Sequence, residues 1–209
     1  MSFSYEELAE VRHYIHQHPE LSGQEYQTTA FLKERLEELG IRILESGLKT
    51  GLIAEIGSGK PVVALRADID ALPILEQTNL PYQSQHPGVM HACGHDFHQT
   101  SLLGAAALLK EKEDQLEGTI RLIFQPAEEI SEGASDVLAT GLLEDVQGII
   151  GFHNMPQLKA GQLALNAGAM MAGVEKFKVT VTGVSSHAAR PDLGVDTVTA
   201  VTTMVQNVQ

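Results

Sequence analysis

Pro61-Val62-Val63-Ala64-Leu65-Arg66-Ala67-Asp68-Ile69-Asp70-Ala71-Leu72-Pro73 is the stretch on which the fold turns. Residues 62–65 are continuously apolar rather than alternating, the pattern of a strand covered on both faces. The run then changes to two aspartates and a proline, so the strand ends in a loop that carries charge. Apolar runs at residues 51–56, 119–124 and 148–152 repeat the pattern of a short core strand. Helical spacing fills the intervals. Ser4 and Glu7 form a capping-box pair ahead of Leu8, Val11 and Ile15, and Leu32, Leu36 and Leu39 share one face of a second helix closed by Gly40. A third helix is expected over residues 97–112, with Asp96 or Gln99 as its cap, and a fourth over residues 134–140. Strands alternating with helices predict an α/β fold, a three-layer sandwich around a mostly parallel sheet.

The pattern changes near Gly173. Residues 175–181 alternate, with Phe177, Val179 and Val181 on one face and Lys176, Lys178 and Thr180 on the other, as in a half-exposed strand. A helix then runs from about Val195 to the last residue without a stop signal. These elements cannot close a core alone. Residues 1–172 are therefore expected to form one domain and residues 173–209 the start of another. Either a partner chain completes this piece or, as we favour, the sequence is part of a longer protein.

Composition narrows the function. The chain has 209 residues, 43% of them hydrophobic, with 27 acidic against 14 basic side chains and a net charge of -13. A chain so acidic, without Lys/Arg clusters, is a poor partner for nucleic acid. No run reaches the ~20 apolar residues of a membrane helix, so no membrane partner is expected. The first residues lack the basic and apolar regions of a signal peptide, and the single cysteine, Cys93, suits a reducing, cytoplasmic location.

Cys93 belongs to His91-Ala92-Cys93-Gly94-His95-Asp96-Phe97-His98. Thiolate and imidazole are common ligands of zinc-like divalent ions, and on an extended segment residues two apart point the same way. A free cysteine buried as a small hydrophobe is the alternative. Gln125-Pro126-Ala127-Glu128-Glu129 places adjacent carboxylates after a core strand, where open α/β sheets build their sites. One could bind a metal while its neighbour serves as a base toward water, or both could simply favour a helix start. His153, in Gly151-Phe152-His153-Asn154, is a third ligand-type residue at a strand end. Asp68 and Asp70 share a face, so they could orient ligand imidazoles as supporting carboxylates or merely begin the turn before Pro73.

Together with His13-Tyr14-Ile15-His16-Gln17-His18-Pro19-Glu20, these segments resemble the aminoacylase, hippurate hydrolase and auxin-conjugate hydrolase branch of the di-metal peptidases, over about residues 10–190. The resemblance implies Cys93, His95, Glu129 and His153 as metal ligands and Glu128 as general base. It implies two divalent ions, for which mixed thiolate, imidazole and carboxylate ligation admits manganese, zinc, nickel or cobalt. It further implies hydrolysis of N-acyl amino acids, with a peptide-bond exopeptidase or an inactive metal-binding fragment as the rivals. An α+β lid inserted after about residue 173 would make a homodimer, with His187 reaching the neighbouring subunit's cleft. Two departures stand out. Asp68-Ile69-Asp70 occupies the place of a His-x-Asp found elsewhere in the superfamily, and no histidine follows Val195, so a last ligand is expected beyond residue 209.

Overall fold

Ser4 opens helix α1 (Tyr5–Gln17) with the expected capping box: its hydroxyl accepts the Glu7 N–H at 3.1 Å, and the Glu7 carboxylate accepts the Ser4 N–H at 2.7 Å. Helix α2 (Tyr26–Glu38) buries Thr28, Leu32 and Leu36, spaced four apart along one face. Gly40 ends it at φ 68°, where the Ile41 N–H turns back to the Leu36 carbonyl at 2.9 Å. The computed structural model describes residues 3–173 and 177–208. They form two compact units, the first ending at Gln157 and the second beginning at Leu158.

The first unit is built on strands β1 (Arg42–Leu44), β2 (Leu52–Ser58), β3 (Val62–Asp68), β4 (Gly118–Gln125) and β5 (Val146–Gly151), in the order β1-β2-β4-β3-β5. The sheet is mixed. β4, β3 and β5 run parallel, whereas β1, β2 and β4 pair antiparallel. Parallel pairing therefore holds for the three strands that approach the candidate site. The antiparallel part follows from the short turn between β2 and β3, which reverses the chain, and from β4 inserting between them. At that insertion the Thr119 N–H bonds the Pro61 carbonyl at 2.9 Å. Gly118 sits beside it at φ 122°, where a Cβ would fall 2.2 Å from the Pro61 oxygen.

Alternation along the strands separates two apolar layers. Leu52, Ala54, Ile56, Leu122 and Phe124 pack against Leu32 and Leu36 of α2 and against Leu102, Leu103 and Ala106 of helix α3 (His95–Lys110). Ile53, Ala64 and Ile123 face the other way, toward Val137 of helix α4 (Gly133–Ala139). Burying each such Leu, Ile or Phe contributes about 1.5–3 kcal/mol, so the core fixes the three layers. Helix α1 lies on α3 at Gly104, where an added Cβ would approach Leu8 at 3.0 Å.

Three expectations change. Helix α3 begins at His95 behind Gly94, with no side-chain cap. Asp96 does not cap it because its carboxylate is turned to Arg12 Nε at 2.9 Å and His16 Nδ1 at 3.0 Å. β5, expected as a core strand, lies at the edge of the sheet that these residues form, with Ile149 and Ile150 56% and 68% exposed. In the second unit, residues 177–181 form no ladder among the described residues, and Glu175 and Lys176 of the expected strand lie outside them. The apolar face of the pattern survives without the ladder: Phe177, Val179 and Val181 meet Val201, Met204 and Val205 of helix α5 (Thr197–Val208) around a groove of about 360 Å³. Among the described residues no helix is long and apolar enough to cross a membrane.

Candidate metal centre

Parallel pairing of β4, β3 and β5 brings their C-terminal ends to one edge of the sheet, with Asp68 opposite Gln125 and Arg66 opposite Gly151. Beyond these ends lie Asp70, the Glu128-Glu129 pair and His153, and the loop from β3 leads to Cys93 and the start of α3 at His95. The loop is pinned by the Ile69 N–H on the Gln125 carbonyl at 3.0 Å and by paired bonds between Leu72 and Met90, each 3.0 Å. Glu25, fully buried, holds the turn after β4: its carboxylate accepts the Ala127 N–H at 2.8 Å and the Thr50 hydroxyl at 2.7 Å. Ala127 itself is left-handed at φ 50°, a conformation that costs a non-glycine residue about 1 kcal/mol or more and that the surroundings must enforce.

His95 is the hub. Its Nδ1–H faces the Asp70 carbonyl at 2.9 Å and Asp70 Oδ1 at 3.2 Å. That leaves Nε2 buried without a partner, 3.7 Å from both Asp68 Oδ2 and Glu129 Oε1. Glu129 Oε1 is likewise buried and unpartnered. An unmet buried polar atom costs about 1–3 kcal/mol, and a cation between an imidazole lone pair and two carboxylates removes that cost. The donor set therefore fits a divalent ion. Three groups of donor atoms, each within 4.8 Å of one another, share His95: Cys93 with His153, Glu128 with Glu129, and Asp68 with His98. The last is a closed group, because His98 Nδ1–H donates to Asp68 at 2.6 Å and Nε2 receives the Asn154 N–H at 3.0 Å. Cys93 Sγ lies 3.3 Å from His153 Nε2, while His153 Nδ1–H donates to the Asn154 carbonyl at 2.8 Å.

Charge is concentrated here. Burial, followed by the fields of Asp68 and Glu129, raises the Glu128 carboxyl above the usual carboxylate range. Burial and the nearby Glu129 push the Cys93 thiol up to about 12 in the metal-free chain, a shift that a cation would reverse. Asp68 goes the other way: burial opposes ionisation, but the His98 hydrogen bond and the positive charges of His95 and Arg66 hold it well below its ordinary value. His95 is raised, because the Asp70 bond and the surrounding carboxylates outweigh its burial.

The structure thus brings together Cys93, His95, Glu128, Glu129, His153, Asp68 and Asp70. Cys93 and His95 meet there for a different reason than extended spacing supplies: Gly94 at φ 93° turns the chain between them. His187 belongs to the second unit, where it is exposed and its Nδ1 accepts the Ala189 N–H at 3.1 Å. Sequence reading assigned no role to His98, Asn154, Arg66 or Ser22. The spacing of His98 from His95, one helical turn, was the available signal. Arg66 bonds Asp68 at 2.6 Å and Ser22 bonds Asp70 at 2.7 Å, the latter without any local pattern to announce it. In the His13–Glu20 segment, His16 anchors Asp96, and Glu20 receives the first N–H groups of α2 at Gln27 and Thr28.

A family profile described as peptidase family M20/M25/M40 matches residues 64–208. An N-acetyl-L-cysteine deacetylase of Bacillus subtilis (strain 168) is 50% identical over 205 residues, 97% of this chain and 49% of that protein. The IAA-amino acid hydrolase ILR1-like 5 of Arabidopsis thaliana is 44% identical over 200 residues, 95% of this chain and 46% of that protein. Among solved structures, a dinuclear metal-binding peptidase from the M20 family of Bacillus subtilis aligns with TM-score 0.71 and 55% identity, covering 72% of this chain and 43% of that one. The chain spans about half the length of the curated relatives it matches.

Proposed function

Because the chain belongs to peptidase family M20/M25/M40, we propose that it supplies the metal-binding half of an amidohydrolase that cleaves N-acyl amino acids into a carboxylic acid and a free amino acid. Cys93, His95, Glu129 and His153 would hold two divalent cations, manganese, zinc, nickel or cobalt, with a further ligand from beyond residue 209. When bound, the cations supply Lewis-acid charge that polarises an amide carbonyl and acidifies water. Glu128 takes the proton of the attacking water and delivers it to the amine nitrogen as the C–N bond breaks. Asp70 fixes the His95 ring with Nε2 toward the cluster, and Asp68, held by His98 and Arg66, supplies a fixed negative charge beside it.

The observation that carries this reading is the unpartnered pair His95 Nε2 and Glu129 Oε1, 3.7 Å apart in a buried acidic cluster. Relatives described as an N-acetyl-L-cysteine deacetylase and an IAA-amino acid hydrolase support the acyl amino acid as substrate. A metallo-exopeptidase on the same site is the second reading, favoured by the relative described as a dinuclear metal-binding peptidase. The full-length protein, loaded in turn with each of the four metals, separates them. Hydrolysis of acetyl and benzoyl amino acids with indifference to dipeptides supports the first, and the reverse preference supports the second. Metal binding without turnover of either substrate class would leave only a binding fragment. We further propose a homodimer in which His187 serves the partner subunit's cleft, and a reducing cytoplasmic setting that keeps Cys93 available as a ligand.

A further inference from the structure

We infer that His98 and Asn154 are a positioning pair that ties together the three segments bearing the cation cluster, an inference that rests on the metal-site reading above. His98 lies on α3 one turn beyond His95 and is fully buried. Its Nδ1–H donates to Asp68 Oδ1 at 2.6 Å, at the end of β3. Its Nε2 faces two atoms of Asn154 in the segment that follows β5, the backbone N–H at 3.0 Å, which the neutral ring accepts, and Oδ1 at 2.6 Å, to which the ring donates when both nitrogens are protonated. One imidazole therefore links α3, which carries His95, to the strand end that carries Asp68 and to the segment that carries His153.

The link passes on to the ligands. Asn154, held at its N–H by His98, offers its carbonyl to His153 Nδ1–H at 2.8 Å. That bond leaves His153 Nε2 turned toward Cys93 Sγ, 3.3 Å away. On its other side the Asn154 amide fills the space over Gly94, where a Cβ would fall 2.4 Å from Asn154 Oδ1. Gly94 lies between Cys93 and His95, so the turn that presents both is packed directly against Asn154. His153 itself is exposed, and beyond the β5 ladder to β3 and the half-buried Val146 the segment is packed only where the Phe152 ring meets Phe97 and His98. At Asn154 and His153 the orienting contacts are hydrogen bonds, and His98 makes the buried ones. Because both its nitrogens are engaged, His98 orients the cluster rather than joining it.

The experiment titrates Co²⁺ alone into the full-length protein and into its His98→Ala, His98→Gln and Asn154→Ala variants. It follows the near-ultraviolet thiolate-to-cobalt absorption, assigned to Cys93 by its loss in a Cys93→Ser control, alongside melting of each metal-free protein. A glutamine amide reaches the Nε2 position and can still accept the Asn154 N–H. The parent is expected to develop the thiolate band. His98→Ala and Asn154→Ala should bind Co²⁺ about 10–100-fold more weakly with a diminished band, and His98→Gln should fall between them and the parent. Parent-like affinity and band in the folded alanine variants would overturn the positioning role while leaving the metal site standing. A parent without the band would overturn the metal-site reading itself. Should His98→Ala fail to fold, Asn154→Ala, at a half-buried position, decides alone.

Discussion

Replacing Asp70 by asparagine keeps the shape of the side chain but removes its charge and one of the two acceptor oxygens that the site uses. Oδ1 lies 3.2 Å from His95 Nδ1, and Oδ2 accepts the Glu129 N–H at 2.9 Å and the Ser22 hydroxyl at 2.7 Å. An asparagine has one oxygen for these two sets of donors. Turned one way, its NH₂ faces the His95 N–H, and turned the other, it faces the Glu129 N–H. Each arrangement sets donor against donor at a position only 1% exposed. Such a mismatch costs about 1–3 kcal/mol, which for a chain of this size lowers the melting temperature by roughly 2–12 °C. The His95 ring loses its orientation at the same time, and removal of a carboxylate behind a metal-ligating histidine weakens metal affinity about 10–100-fold. Calorimetric titration of Zn²⁺ or Co²⁺, paired with thermal unfolding of the metal-free protein, reads both effects. An Asp70→Asn protein that binds cations within twofold of the parent would refute the claim that Asp70 aims His95.

Two further outcomes are expected, the first from the site's geometry and the second from the proposed homodimer. With its thiol pushed up to about 12, Cys93 in the chelator-stripped protein should be alkylated slowly near neutrality, with a rate that climbs about tenfold per pH unit and shows no plateau near 9. In the metal-loaded protein the rate should stay low across that range, and equal rates in the two states at its alkaline end would mean that the thiol binds nothing. Mixing full-length Glu128→Gln with His187→Ala should restore activity once subunits exchange, because one composite site is then intact. Verified exchange without recovery would confine His187 to its own subunit or to no catalytic part.

Local chemistry was the legible part of this chain. The Ser4–Glu7 capping box and the Leu32–Leu36 stripe depend on near neighbours and became the expected elements; the run at residues 62–65 became a strand, but one that is not covered on both faces, since Val63 is 40% exposed. The order of the sheet was not legible, because nothing local says that β4 slips between β2 and β3. At the site, residue types drew attention to Cys93, His95, Glu128, Glu129 and His153, strand ends marked the last three, and the family resemblance supplied the roles expected of them. The division of labour between nitrogens was out of reach, since the His91–His98 run does not reveal that His95 keeps Nε2 open while His98 spends both. Asp96 illustrates the same limit: a side chain suited to capping was claimed by Arg12 and His16, eighty-odd residues earlier.

The central claim is that Glu128 acts as a base beside a cation cluster it does not help to hold. Its most direct measurement compares the full-length parent with Glu128→Gln for metal content by elemental analysis and for turnover of an N-acetyl amino acid. Both proteins should contain the same metal, and the variant should lose about 10²–10⁴ in rate, the contribution of a general base. Near-parental turnover in the variant, or loss of metal together with activity, would contradict the account; the second result would make Glu128 a ligand.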